Sequence, residues 1–149
     1  MKIFKFRLER ILRFKEQVEQ QKRIALSDRN EALKKEKKRL VDLALHKGKY
    51  MEVYGSLFHG RVNVRGLKTT LAYIDKINGD MFSQARRVVN AETRADEAKI
   101  EVRDSMRDRK KYEKLKERKR KEHDFNTGKE EQKEIDEIAS GIKIRSASL

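Results

Sequence analysis

Few residues in this chain are of a type that breaks or makes bonds. It has three histidines, His46, His59 and His123, and no cysteine. The histidines lie far apart, and none belongs to a His-Glu-x-x-His pair or to another metal-ligand spacing, so they read as surface residues. Lack of cysteine excludes thiolate zinc sites, iron–sulfur clusters, disulfides and a Cys nucleophile, and fits a reducing compartment. No Gly-rich phosphate loop, Gly-x-Ser-x-Gly elbow or pair of carboxylates in an apolar setting occurs. No enzyme activity, cofactor or metal is therefore expected. What the sequence does concentrate is positive charge, a net +14 over 149 residues. Residues 107–123 carry ten basic and four acidic side chains, residues 1–17 six and two, and residues 67–106 seven of each. The chemistry on offer is recognition of an acidic surface.

The elements that hold this charge follow from composition. With 43% charged and 36% hydrophobic residues, the chain has too little apolar material for a thick core and must bury a narrow seam. Proline and tryptophan are absent, and Lys, Arg, Glu, Ala and Leu favour long helices. Leu8, Ile11, Val18 and Ala25 lie on one stripe. A second, one residue out of register, runs through Leu26, Leu33, Leu40, Leu43, Tyr50, Tyr54 and Leu57. This is coiled-coil spacing with an expected shift near Ala25 and Leu26. Gly55, Gly60 and Gly66 bracket an expected turn at about 59–66 after a helix of about 3–58. The period resumes with Leu67, Leu71, Ile74, Met81, Ala85, Val88, Ala95, Val102 and Met106, then slips to Tyr112 and Leu115.

Two tethered amphipathic helices fold back on each other. The expected fold is all-α: an antiparallel two-helix coiled-coil hairpin over residues 1–123, its second helix running from about 67 to 123 or beyond. Helices of roughly 55 residues give a rod on the order of 80 Å long. Gly128 is expected to interrupt the second helix. Residues 124–149 are then an acidic short helix around 130–139 and a flexible, disordered tail from Gly141. Arg29, Glu36, Lys47, Asn78, Glu92, Lys99 and Arg109 fall where apolar residues belong, and the long basic stems among them are expected to snorkel out of the seam.

In an antiparallel hairpin, residues 107–123 lie beside residues 1–17, so the end away from the turn is strongly positive. Base readers of the basic-zipper kind use parallel helices and an Asn-and-Arg spacing absent here, and RNA modules show aromatic platforms. Residues 107–123 lack the broad apolar face of an interfacial helix. No run of about 18 apolar residues spans a bilayer, and residues 1–8 have no apolar stretch long enough for a cleaved signal. A soluble cytoplasmic protein with a protein partner is expected, and no nucleic acid.

The opening Phe4-Lys5-Phe6-Arg7-Leu8-Glu9-Arg10-Ile11-Leu12-Arg13-Phe14-Lys15 resembles the F-x-F-x-L-x-x-L-L-x-x-K start of the FliJ family of flagellar export proteins. Tyr112-Glu113-Lys114-Leu115-Lys116-Glu117-Arg118-Lys119 and Glu134-Ile135-Asp136-Glu137-Ile138-Ala139 are similar to that family's second block and tail. The resemblance covers almost the whole chain. It implies a non-catalytic, stalk-like hairpin of the flagellar type III export apparatus, at the cytoplasmic face of the basal body. Its partners would be the hexameric export ATPase FliI, the export gate protein FlhA and flagellar export chaperones. The ATPase ring would receive the paired helix ends, here Phe4, Phe6, Leu8, Ile11, Lys110, Lys111, Leu115, Arg118 and Lys119. The gate contact, carried over by local similarity, falls on Tyr50, Tyr54, Tyr73 and Ile77, while Leu43, Lys47 and Asp80 depart from the family pattern. Two alternatives stand beside this reading: a basic coiled-coil adaptor for nucleic acid, and the equivalent stalk of a virulence type III secretion system.

Overall fold

The computed structural model of the chain describes the backbone of residues 3–147 and the side chains of residues 3–140. It consists of two helices, α1 (Glu9–Ser56) and α2 (Val64–Ala147), and no strand among the described residues. They form a helical hairpin, as the two amphipathic stretches predict. Two compact units are distinguished. Unit 1 joins Met1–Gln20 to Asp104–Leu149, and unit 2 is Gln21–Arg103.

Local chemistry sets the helix ends. The Glu9 amide donates to the Phe6 carbonyl at 3.2 Å, closing the turn that starts α1. At the other end, Gly55 and Ser56 carbonyls accept from the Phe58 and His59 amides, and Gly60 then takes φ of +91°, a left-handed conformation that releases the chain from α1. Asn63 caps α2, its side-chain oxygen accepting from the Gly66 amide at 3.1 Å. Gly66 fits that cap closely: a Cβ there would lie 3.3 Å from the Asn63 side-chain nitrogen. The turn therefore occupies residues 57–63, slightly earlier than the glycine positions suggest. Gly128 does not interrupt α2. One helical glycine costs only about 1 kcal/mol relative to alanine, and propagation from good helix formers on both sides carries the helix across it. Of the tail expected from Gly141, residues 148 and 149 lie outside the described residues.

The seam differs from the expected one in a specific way. Along α1 and the residues flanking it, the seam runs through the buried or half-buried Leu8, Leu12, Lys15, Glu19, Lys22, Leu26, Leu33, Glu36, Leu40, Leu43, Lys47, Tyr54 and Leu57, with Glu9 and Val18 half-buried beside it. The seam positions follow a single three-and-four spacing, with exposed Arg29 and Tyr50 in the remaining places. The expected shift near Ala25 and Leu26 does not occur: Leu12 is 4% exposed and Ile11 39%. α2 likewise keeps one heptad register through Leu67, Ile74, Met81, Val88, Ala95, Val102, Arg109 and Lys116. The expected slip after Met106 is absent, and Leu71 lies outside at 43% exposure.

The register stays intact because polar side chains occupy seam positions and are bonded there. In unit 1, Glu19 is 5% exposed and accepts from Arg109 Nε at 2.6 Å, and Arg109 also bonds Glu113. Lys15 pairs with Asp108 at 3.1 Å and Lys116 with Glu9 at 2.8 Å. In unit 2, Gln84 donates to the Glu36 carbonyl at 3.0 Å, and Lys37 reaches Glu92 at 2.7 Å. Snorkelling thus fails for Arg109, which turns inward, while Arg29 and Lys99 are exposed. The apolar core is unevenly divided: Ile74, Ile77, Val88, Ala95 and Val102 are buried in unit 2, and Leu12 in unit 1. At about 1.5–3 kcal/mol for each fully buried large aliphatic, unit 2 holds most of the hydrophobic stabilisation.

Candidate protein-interaction sites

The first site lies in unit 1. Residues 3–6 have no regular secondary structure and pass beside α2, leaving an open cleft of about 660 Å³ lined by Phe4, Phe6 and Leu8 on one side and Leu115, Lys119 and His123 on the other. The Phe4 ring packs on the His123 imidazole, centroids 5.5 Å apart. Lys5 and Arg7 add positive charge to the lining. The Lys116–Glu9 ion pair ties the start of α1 to α2 beside this cleft. The cleft is thus an apolar trough among cations, suited to an apolar side chain flanked by acidic ones.

Five of the nine ring-binding candidates, Phe4, Phe6, Leu8, Leu115 and Lys119, line this cleft. Ile11, Lys110, Lys111 and Arg118 are exposed beside it. Much of the positive charge here is paired within α2. Lys111 bonds Asp108 at 3.1 Å, and Arg118 and Lys119 both bond Glu122. Lys111, with Lys15, holds the Asp108 carboxyl below the usual carboxylate range, and Lys119, with Arg118, does the same to Glu122. Lys110 makes no ion pair among the described residues. His123 is the residue that spacing analysis missed. Taken for a surface histidine, it stands in the α2 register seven residues after Lys116, and that step was the available signal.

The second site lies in unit 2 near the turn. The Tyr50 and Tyr73 rings meet at a tilt of 43° with centroids 4.2 Å apart, at 36% and 39% exposure. A hydrogen bond with the Tyr73 hydroxyl raises the Tyr50 phenol above its ordinary value. Tyr54 is half-buried and meets Phe58 edge-on at 5.2 Å. Ile77, one turn beyond Tyr73 on α2, is 3% exposed and belongs to the seam beneath. Phe58, 52% exposed, extends the aromatic surface. It sits among the turn glycines, where no periodicity marks it.

Comparison with known proteins bears on what these surfaces serve. The family model described as Flagellar FliJ protein matches residues 4–148. The chain belongs to this family. Membership makes it a component of type III protein export, and the family's pattern covers both sites. Among solved structures, the FliJ-family chain is similar to one from Chlamydia trachomatis described as a YscO homolog. The identity is 19% and the TM-score 0.65, covering 93% of this chain and 94% of that one. At that identity the likeness shows a shared fold. No curated protein matches. Among the described residues of the FliJ-family chain, no helix is long and apolar enough to cross a membrane.

Proposed function

We propose that the chain is a non-catalytic, stalk-like component of the export apparatus that engages the export ATPase FliI through the unit 1 cleft. One observation carries this reading. Phe4, Phe6 and Leu8 converge with Leu115 and Lys119, more than a hundred residues away in sequence, on one apolar trough with basic side chains around it. Such a surface steers an acidic ring lining by charge and holds it by shallow apolar contact, without a deep socket. The exposed Tyr50–Tyr73 pair supports a second contact, with the gate protein FlhA. A tyrosine ring packs on apolar surface while its hydroxyl stays wet. In this reading Tyr54 and the buried Ile77 act from beneath, fixing the pair in place. The chain would also escort export chaperones and work peripherally at the cytoplasmic face of the basal body.

Binding to the purified export ATPase tests the reading. Replacing Lys110, Lys111, Arg118 and Lys119 together by Glu should weaken binding roughly tenfold or more at low salt, and Phe4→Ala with Phe6→Ala should weaken it at all salt concentrations. Unchanged affinity in both variants would refute it. The likeness to a YscO homolog favours one second reading, the equivalent stalk of a virulence type III system. The two differ only in the machine, and preferential binding to the ATPase of one system decides between them.

A further inference from the structure

A third surface is absorbed by neither contact above. In unit 2, between α1 and α2, an open groove of about 240 Å³ is lined by Arg29, Arg87, Arg94 and Asn90, with the small side chains Ala32 and Ala91 also in its lining. None of the three arginines makes a hydrogen bond or ion pair among the described residues. The carboxylate in the lining, Glu36, is already occupied by Gln84 and Arg39. Arg87 and Arg94 stand seven residues apart on one face of α2, so their stems are about 10 Å apart along the axis. Three unpaired guanidiniums beside two alanines make a site for carboxylates carried on a closely approaching backbone.

The same sequence holds a segment of the opposite character. Residues 124–140 contain six acidic and two basic side chains, against nineteen basic and eleven acidic in residues 21–103. From Glu130 to Ser140 α2 is exposed throughout, and Ile135 and Ile138 leave 60% and 65% of their surface in water. Glu130, Glu134 and Glu137 share one helical face, with the two isoleucines on the stripe beside it. Glu130 and Glu137 repeat at the same seven-residue spacing as Arg87 and Arg94. An exposed acidic helix with an apolar edge and a basic, alanine-containing groove are complementary in charge, spacing and side-chain size.

We propose that the Arg29–Arg87–Arg94 groove of one copy receives the residue 130–139 helix of a second copy of this chain. Carboxylates at 130, 134 and 137 meet the guanidiniums, and Ile135 or Ile138 rests on Ala32 and Ala91. One short helix buries less than the roughly 1,000 Å² of a stable interface, so the association is weak, concentration-dependent and sensitive to salt. The proposal is independent of the ATPase and gate contacts, which use other residues.

Sedimentation equilibrium of the full chain over a concentration series tests it. At low salt the average mass should rise above the 17.7 kDa monomer and return to it as salt is added. Arg87→Glu with Arg94→Glu, and separately Glu130→Lys with Glu134→Lys and Glu137→Lys, should each weaken association about tenfold or more. Both sets combined in one chain should restore it. Circular dichroism checks that each variant keeps its helices, and Arg87→Gln with Arg94→Gln gives a milder form of the same test. A wild-type chain that stays monomeric at every concentration would overturn the proposal, as would reversed chains that associate like the wild type or a combined chain that fails to recover. A monomer that instead binds duplex DNA through these arginines would also overturn it, making the groove a polyanion site.

Discussion

Glu19 shows how much a single side chain decides here. It is 5% exposed at a seam position where an aliphatic residue would be expected, and its partner Arg109 comes from the other helix of unit 1. A buried ion pair adds little net stability over a well-packed apolar pair, but removing one member leaves the other charged and desolvated. Arg109→Ala should therefore destabilise the hairpin by about 2 kcal/mol or more, whereas Arg109→Met combined with Glu19→Leu should be close to neutral or stabilising. Urea denaturation of the three chains checks this. Equal losses in the single and double variants would mean that the pair contributes through packing alone. The burial of Glu19 was not legible in the sequence. A reader following apolar side chains is drawn to Val18, its neighbour, because hydropathy cannot show that a carboxylate has a guanidinium waiting across the seam.

The elements were more legible than their register. Two helices, a turn near Gly60 and an antiparallel pairing follow from the spacing of leucines, the lack of proline and the clustered glycines. The stripe in the first half of α1 does not. Ile11, Val18 and Ala25 form a plausible apolar line one residue away from the true one, which runs through Leu12, Lys15, Glu19 and Lys22. Cross-helix ion pairs keep the true register, and this gives the pairing of α1 with α2 in unit 1 a pH dependence. Asp108 is bonded by Lys111 on its own helix and by Lys15 across the seam, and its carboxyl is held below the ordinary range. A depressed folded-state pKa contributes stability that is complete above the ordinary Asp value of about 3.9 and is lost as pH falls through the lowered one. Amide signals of residues 9–20 and 104–116 should shift and broaden on acidification below about pH 4, earlier than those of residues 74–102, where the buried side chains other than Gln84 are aliphatic. Simultaneous loss in both stretches would contradict this account of unit 1.

At the scale of the whole molecule, the fold concentrates buried apolar side chains in unit 2 and, among the described residues, most of the ion pairs in unit 1. The unit 1 cleft was partly legible, since Phe4, Phe6, Leu8, Leu115 and Lys119 all belong to motifs visible in the sequence. His123 and Phe58 were not, one being taken for a surface histidine and the other lying in the turn where periodicity lapses. The extra positive charge was legible as a total, but its pairing was not: Lys111, Arg118 and Lys119 each find a carboxylate within one turn of α2. The steady-state ATP hydrolysis rate of the cognate export ATPase, titrated with this chain, is the most direct test of the stalk reading. The rate should rise several-fold to saturation with the wild-type chain, and the Phe4→Ala, Phe6→Ala chain should need a much higher concentration for the same effect. A rate that is flat across the titration, under conditions where the two proteins demonstrably bind, would contradict it.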